Sequence, residues 1–169
     1  MVRFKNRWLL VEFLPINATN GRASLGVVGG QRHPSSEHGL DGKKVYNALK
    51  QSVLLNFGDT GWGAVGLSMN VKYFSPMTNI CIIRVGRDQA RIAWGAVTLL
   101  TNVDGVKVVP FVVHVSGTIK HAQLAAITHN REVIARYRAS LQTPTAYHAQ
   151  DSYEGYLEKS TVEIEALQD

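Results

Sequence analysis

Reactive chemistry is what this chain has least of. Cys81 is the only cysteine among 169 residues, so no internal disulfide can form. It sits in the apolar run Asn79-Ile80-Cys81-Ile82-Ile83, where a buried, inert thiol is expected. No apolar run approaches the roughly 20 residues that span a bilayer, which leaves no membrane segment to assign. The apolar stretch near the start is only Trp8 to Leu14, and Pro15 follows without a small-residue cleavage site. That is not the layout of a secretory signal, and an intracellular protein is expected. Paired carboxylates, a Ser/His/Asp set and a metal cluster are all lacking, so no catalytic residue is assigned. His33 and His38 are five residues apart, yet no further Cys or acidic ligand stands at a fitting distance, and no protein-held metal is expected.

The composition, 45% hydrophobic and 18% charged, is that of one soluble globular domain with a sizeable core. Its charge is unevenly placed. Residues 143–169 hold Asp151, Glu154, Glu158, Glu163, Glu165 and Asp169 against Lys159 alone, a net charge of −5 in a chain whose total is +5. The remainder therefore carries +10, an electrostatic footprint for nucleic acid. The acidic tail fits a solvated end, a partner-binding segment, or a cover over the basic face; the first two need no special geometry.

At the start, Arg3, Lys5 and Arg7 alternate before Trp8-Leu9-Leu10-Val11-Glu12-Phe13. The two-residue period of a strand puts all three cations on one side, an arm suited to a polyanion. The competing reading is a solvated tail with incidental charge.

Arg7 to Leu14 reads as a first strand stopped by Pro15. Residues 17–40 are rich in Gly, Asn, Ser and His, and are expected to be a flexible insertion. Asp41 caps a helix to about Phe57, which Gly58 ends. Val65, Leu67, Met69, Val71 and Tyr73 alternate with polar residues as a half-exposed strand. Thr78 to Val85 is a more buried strand, Asp88 caps a second helix to about Leu100, and Val106 to Val115 is the fourth strand. Ser116-Gly117-Thr118 starts a last helix to about Leu141, with Ile119, Ala126, Val133 and Tyr137 as its seam, and Pro144 prevents its extension.

This order predicts an α+β, ferredoxin-like (RRM-like) fold over residues 1–142: a four-stranded antiparallel sheet, β-α-β-β-α-β, plus a C-terminal helix. Residues 143–169 are expected to be an acidic tail. The third strand has no aromatic residue, so base stacking on the sheet face, as RNA-recognition motifs perform it, is not expected. Backbone and shape recognition by cations and helix ends remains.

Val2-Arg3-Phe4-Lys5-Asn6-Arg7-Trp8-Leu9-Leu10-Val11-Glu12 and His114-Val115-Ser116-Gly117-Thr118-Ile119-Lys120 carry a family resemblance. Between and beyond them stand Asn56-Phe57-Gly58-Asp59-Thr60-Gly61, Arg84-Val85-Gly86-Arg87-Asp88, and Ala125-Ala126-Ile127 through Asn130-Arg131. In these collinear blocks the chain resembles the small protein subunit shared by eukaryotic ribonuclease P and ribonuclease MRP, the "POP five" (processing of precursors) family. The likeness covers residues 1–16 and 41–140. Trp8 stands where the family usually has tyrosine, and Gly86 where it has proline, so the rigidity of that turn does not carry over.

The resemblance implies a non-catalytic subunit of ribonucleoproteins that remove 5′ leaders from precursor transfer RNA and cut precursor ribosomal RNA, in the nucleus and nucleolus. The RNA then supplies the active centre and its Mg ions. The implied partners are the ribonuclease P and MRP RNAs and the other protein subunits, especially one with a TIM-barrel-like fold. The candidate RNA-binding residues are Arg3, Lys5, Arg7, Lys72, Arg84, Arg87, Arg91, Ser116, Gly117, Thr118, Lys120 and Arg131. A helix N-terminus with a glycine suits a phosphate, while a plain cap by Ser116 or Thr118 fits equally. Lys120, Arg131 and Arg138 fall within about 20° of one another on a helix, but Leu124 and Ile127 share that stripe, which suits a protein partner as well. A small-molecule regulatory domain of the same fold is the alternative from a different class, and it requires a polar ligand pocket.

Overall fold

The computed structural model describes residues 5–19, 22–25, 40–140 and 147–168. Arg3, His33, His38 and Pro144 lie outside the described residues, as do the side chains of Tyr137 and Arg138. In chain order the elements are β1 (Asn6–Thr19), β2 (Arg22–Leu25), α1 (Gly42–Val65), β3 (Asn70–Ser75), β4 (Ile80–Gly86), a 3₁₀ turn at Arg87–Gln89, α2 (Ala90–Thr98), β5 (Asn102–Val103), β6 (Val106–Ser116), α3 (Ile119–Ser140) and α4 (Tyr147–Glu165).

The strands lie in the order β3-β4-β1-β6-β5, with β2 paired to β1. Every pairing is antiparallel. β1 is central, held by β4 from Asn6 to Glu12 and by β6 from Trp8 to Pro15. Its side chains alternate cleanly. Leu9, Val11 and Phe13 enter a core with Val45, Leu49 and Val53 of α1 and Ala93, Ala96 and Val97 of α2. Trp8 and Leu10 enter a second core with Tyr73, Ile80, Ile82, Ala122, Ala126, Val133 and Ile164. The sheet is thus covered by α1 and α2 on one face and by α3 and α4 on the other. Double coverage explains why Leu9 to Val11 and Ile80 to Ile83 are continuous apolar runs. Each fully buried Leu or Ile contributes about 1.5–3 kcal/mol.

Six expectations are corrected. Pro15 does not stop the first strand, because it lies where β1 has β6 on one side and no strand on the other; a missing N–H is tolerated at such a local edge. Beyond it, Ile16 to Thr19 pair with Arg22 to Leu25, so the start of the expected flexible insertion is a hairpin. Gly58 breaks α1 without ending it: its φ of 65° and ψ of −169° interrupt the helix, which resumes to Val65. That backbone conformation is open essentially to glycine alone. The strand expected from Val65 therefore begins only at Asn70, and a register shift between Val71 and Tyr73 inverts its alternation. Val71 and Phe74 pack on the α1 side, Tyr73 on the α3 side, as one extra residue in a ladder requires. Asp88 lies inside the 3₁₀ turn and caps no helix by its side chain.

The largest correction is the acidic tail. It forms α4, whose Tyr153, Ser160 and Ile164 are buried. Gln123 Nε2 donates to the carbonyls of Ile164 (2.7 Å), Leu167 (3.1 Å) and Glu165 (3.3 Å), engaging the open C-terminal end of α4. Near its middle, the Tyr156 hydroxyl bonds Ser75 Oγ and Thr78 Oγ1, and Thr78 donates to Asn130 Oδ1 at 2.8 Å. A charge count cannot show this, because Glu154, Glu158, Glu163 and Glu165 are exposed while the buried residues recur at helical spacing.

Glu12 is the buried charge of the second core, 4% exposed. His129 Nε2 lies 2.8 Å from its Oε2 and Arg136 Nη2 lies 3.4 Å away, while Glu132 stands 3.7 Å from His129 Nδ1. Burial pushes the Glu12 carboxyl up, but the His129 hydrogen bond and the Arg136 charge outweigh it and hold it below the ordinary value. Glu12 is therefore ionised, and the stability it contributes is present above the unfolded glutamate pKa and lost as pH falls through the lowered folded value.

Replacing His129 with Ala leaves that carboxylate buried without its nearest donor. The expected cost is about 3 kcal/mol in denaturant unfolding at pH 7, shrinking at acid pH as the carboxyl protonates; a cost independent of pH would show that the ionised carboxylate is not what His129 supports. For α4, Gln123→Leu should speed amide exchange across 153–167 while leaving α1 protected. Equal protection in both proteins would show that Gln123 does not hold the helix.

Candidate nucleic-acid interface

The starts and ends of three strands build one edge of the sheet. Asn6 pairs with Gly86 and Arg7 with Val85, and the Arg87 N–H donates to the Lys5 carbonyl at 2.8 Å. Trp8 lies between Arg84 on β4 and Ser116 on β6. Neighbouring strands are about 4.8 Å apart, so Lys5, Arg7, Arg84, Arg87 and the Ser116-Gly117-Thr118 turn share this edge. Lys120 stands in the first turn of α3. Arg91 lies one turn beyond Arg87, on α2.

The turn itself is tightly organised. Ser116 Oγ donates to the Thr118 carbonyl at 2.9 Å, and the His121 N–H donates to Thr118 Oγ1 at 3.4 Å. Thr118 is therefore the cap, and Ser116 braces the turn. Arg7 Nη1 donates to the Asn6 carbonyl at 3.1 Å and would lie 3.2 Å from a Cβ placed on Gly117. A side chain at this position would make the guanidinium give by a few tenths of an ångström. A cation beside the positive end of a helix dipole is disfavoured by about 0.3–1 kcal/mol. An anion bound between them relieves the repulsion and takes hydrogen bonds from both.

Two of the twelve predicted residues, Lys72 and Arg131, do not join this edge, and a third is not described. Lys72 Nζ donates to the Gln168 carbonyl at 3.4 Å, so it engages the segment just after α4. Arg131 is eleven residues after Lys120 in α3, about 16 Å along the axis at 1.5 Å per residue. Arg3 lies outside the described residues. His114 and His121 flank the turn and are exposed. Among the described residues no group of three His, Cys, Asp or Glu side chains is placed to hold a metal ion, and burial holds the Cys81 thiol protonated.

α1 and α2 cover one face of the sheet and α3 and α4 cover the middle of the other, while Val109 and Phe111 of β6 stay exposed. The cavity between the start of α1 and β3, about 570 Å³ and lined by Asp41, Lys43, Tyr46, Asn70, Lys72 and others, opens broadly to solvent. It does not form the enclosed pocket that a small-molecule regulatory domain needs. Reading along the chain missed the Glu12, His129 and Arg136 cluster. A lone glutamate at an inward strand position was its only signal.

Residues 7–127 match the model of the Rpp14/Pop5 family. The "Ribonuclease P/MRP protein subunit POP5" of Schizosaccharomyces pombe is 40% identical over 79% of this chain and 91% of its own length. The subunit of the same description from Saccharomyces cerevisiae is 32% identical over 79% of this chain and 80% of its own. Among solved structures, a chain of "Cryo-EM structure of yeast Ribonuclease MRP" aligns with a TM-score of 0.49 at 11% identity, covering 80% of this chain and 98% of that one. The extent of the family match, together with these identities over most of both chains, makes this chain a member of the Rpp14/Pop5 family.

Proposed function

We infer that this chain is a non-catalytic protein subunit of ribonuclease P and ribonuclease MRP. In this reading it binds and stabilises the catalytic RNA for 5′ maturation of precursor tRNA and for precursor rRNA processing. Family membership and the names of the relatives support the assignment. The observation that carries the mode of action is the Arg7 guanidinium packed over Gly117 at the N-terminus of α3: two sources of positive potential converge on one point with no described carboxylate paired to Arg7.

The RNA supplies the cutting centre, and its Mg ions are bound there. The protein supplies fixed charge at the edge formed by Lys5, Arg7, Arg87 and Lys120, with Arg84 beside them and partly buried. Backbone amides at 117–119 add donors for a phosphate. The four long strands, in the order β3-β4-β1-β6 with α1 and α2 on one face, support a ferredoxin-like core to which β2, β5, α3 and α4 are added. The family resemblance further supports pairing with a TIM-barrel-like protein subunit, and a nuclear and nucleolar location where such particles work. No helix among the described residues is long and apolar enough to cross a membrane.

Replacing Arg7 and Arg87 together with Ala should weaken binding to the ribonuclease P RNA and flatten the dependence of log affinity on log salt by about 1.4–1.8, with unchanged circular dichroism. An unaltered slope would remove these residues from the interface. Cleavage of a precursor tRNA leader by the protein alone, without RNA, would overturn the non-catalytic assignment.

A further inference from the structure

Trp94 stands outward on α2 with 47% of its surface exposed, while Ala93, Ala96 and Val97 of the same helix are buried. Arg91 and Thr98 share its face, three residues before and four after it, and Thr98 Oγ1 donates to the Trp94 carbonyl at 3.0 Å. Across the contact between α1 and α2, Phe57 is 36% exposed, and its Cζ lies 2.8 Å from where a Cβ on Gly95 would sit. The bare Gly95 thus lets a second aromatic ring lie against α2 next in sequence to Trp94. Neither Arg87 nor Arg91 forms an ion pair with a described residue. The face is also continuous with the basic edge, because Arg87 is hydrogen-bonded to Lys5.

Cations interleaved with exposed aromatic rings are the chemistry of single-stranded RNA binding: bases stack on the rings while cations hold the phosphates. We propose that the outer face of α2 binds an unpaired RNA segment, with one base stacked on the Trp94 indole and the flanking phosphates held by Arg87 and Arg91. This rests on the RNA-binding reading above and extends it from phosphate contact to base contact. Every base has a π-face, so the site is tolerant of sequence. Exposed Leu99 borders the platform and suits a protein partner, but the cationic rim and its continuity with the basic edge favour RNA.

The full-length protein is titrated with a short oligouridylate and, separately, with a blunt RNA duplex. Trp94→Ala should weaken oligouridylate binding by about 5- to 100-fold with an unchanged salt slope and unchanged circular dichroism, and Trp94→Phe should restore most of the affinity. Arg91→Ala should weaken binding and lower the slope by about 0.7. Undiminished oligouridylate affinity in Trp94→Ala, with duplex binding still sensitive to Arg7→Ala, would overturn the α2 site and leave the basic edge standing. Undiminished RNA affinity with lost co-purification of the other ribonuclease P proteins would reassign the face to protein. Failure of the unaltered protein to bind either RNA would reject both readings.

Discussion

The structure depends on one strand being buried on both faces and paired on both edges. β1 has α1 and α2 beneath it, α3 and α4 above it, β4 on one side and β6 on the other. With Leu9, Val11 and Phe13 committed to one core and Trp8, Leu10 and Glu12 to the other, a shift of one residue would exchange the two sets and drive Glu12 against α1 and α2. Register is therefore firmly specified, and with it the position of the cations that precede the strand. Lys5 and Arg7 are presented by a rigid support, even though they lie at its very beginning.

That rigidity bears on the RNA-binding role proposed for the basic edge. Mobile cations lose conformational entropy on meeting a polyanion, whereas Arg7 is already placed by the Asn6 carbonyl and by the bare face of Gly117. Part of the ordering cost of binding is thus met when the protein folds. In the proposed function the chain does no chemistry of its own and offers this fixed potential to the RNA.

α4 changes the meaning of the net charge. Its acids make residues 143–169 negative, but its buried residues complete the second core and bring the carbonyl end of the helix against Gln123. The segment just after α4 also engages Lys72, one of the predicted RNA-binding cations, through the Gln168 carbonyl. α3 and α4 also cover the middle of the sheet face on which RNA-recognition motifs stack bases. Exposed aromatics remain at Phe111 on β6 and at Trp94 on α2.

Local patterns decided much of this protein in advance: the order of the long strands and helices, the alternation in β1, and the caps at Asp41 and at the start of α3. Each follows from neighbours in sequence, because side-chain periodicity and capping act over one or two turns. The concentration of cations in Lys5, Arg7, Arg84 and Arg87 was also legible as composition. Their convergence was not, since residues some 80 positions apart meet only through strand pairing. The folding of the acidic tail onto the sheet, the reversal of sides in β3 at its bulge, the continuation of α1 past Gly58, and the Glu12 to His129 pair were settled by packing between distant segments. Burial of an apolar face or a charge acquires its energy only when the covering element arrives, and that element lies elsewhere in the chain.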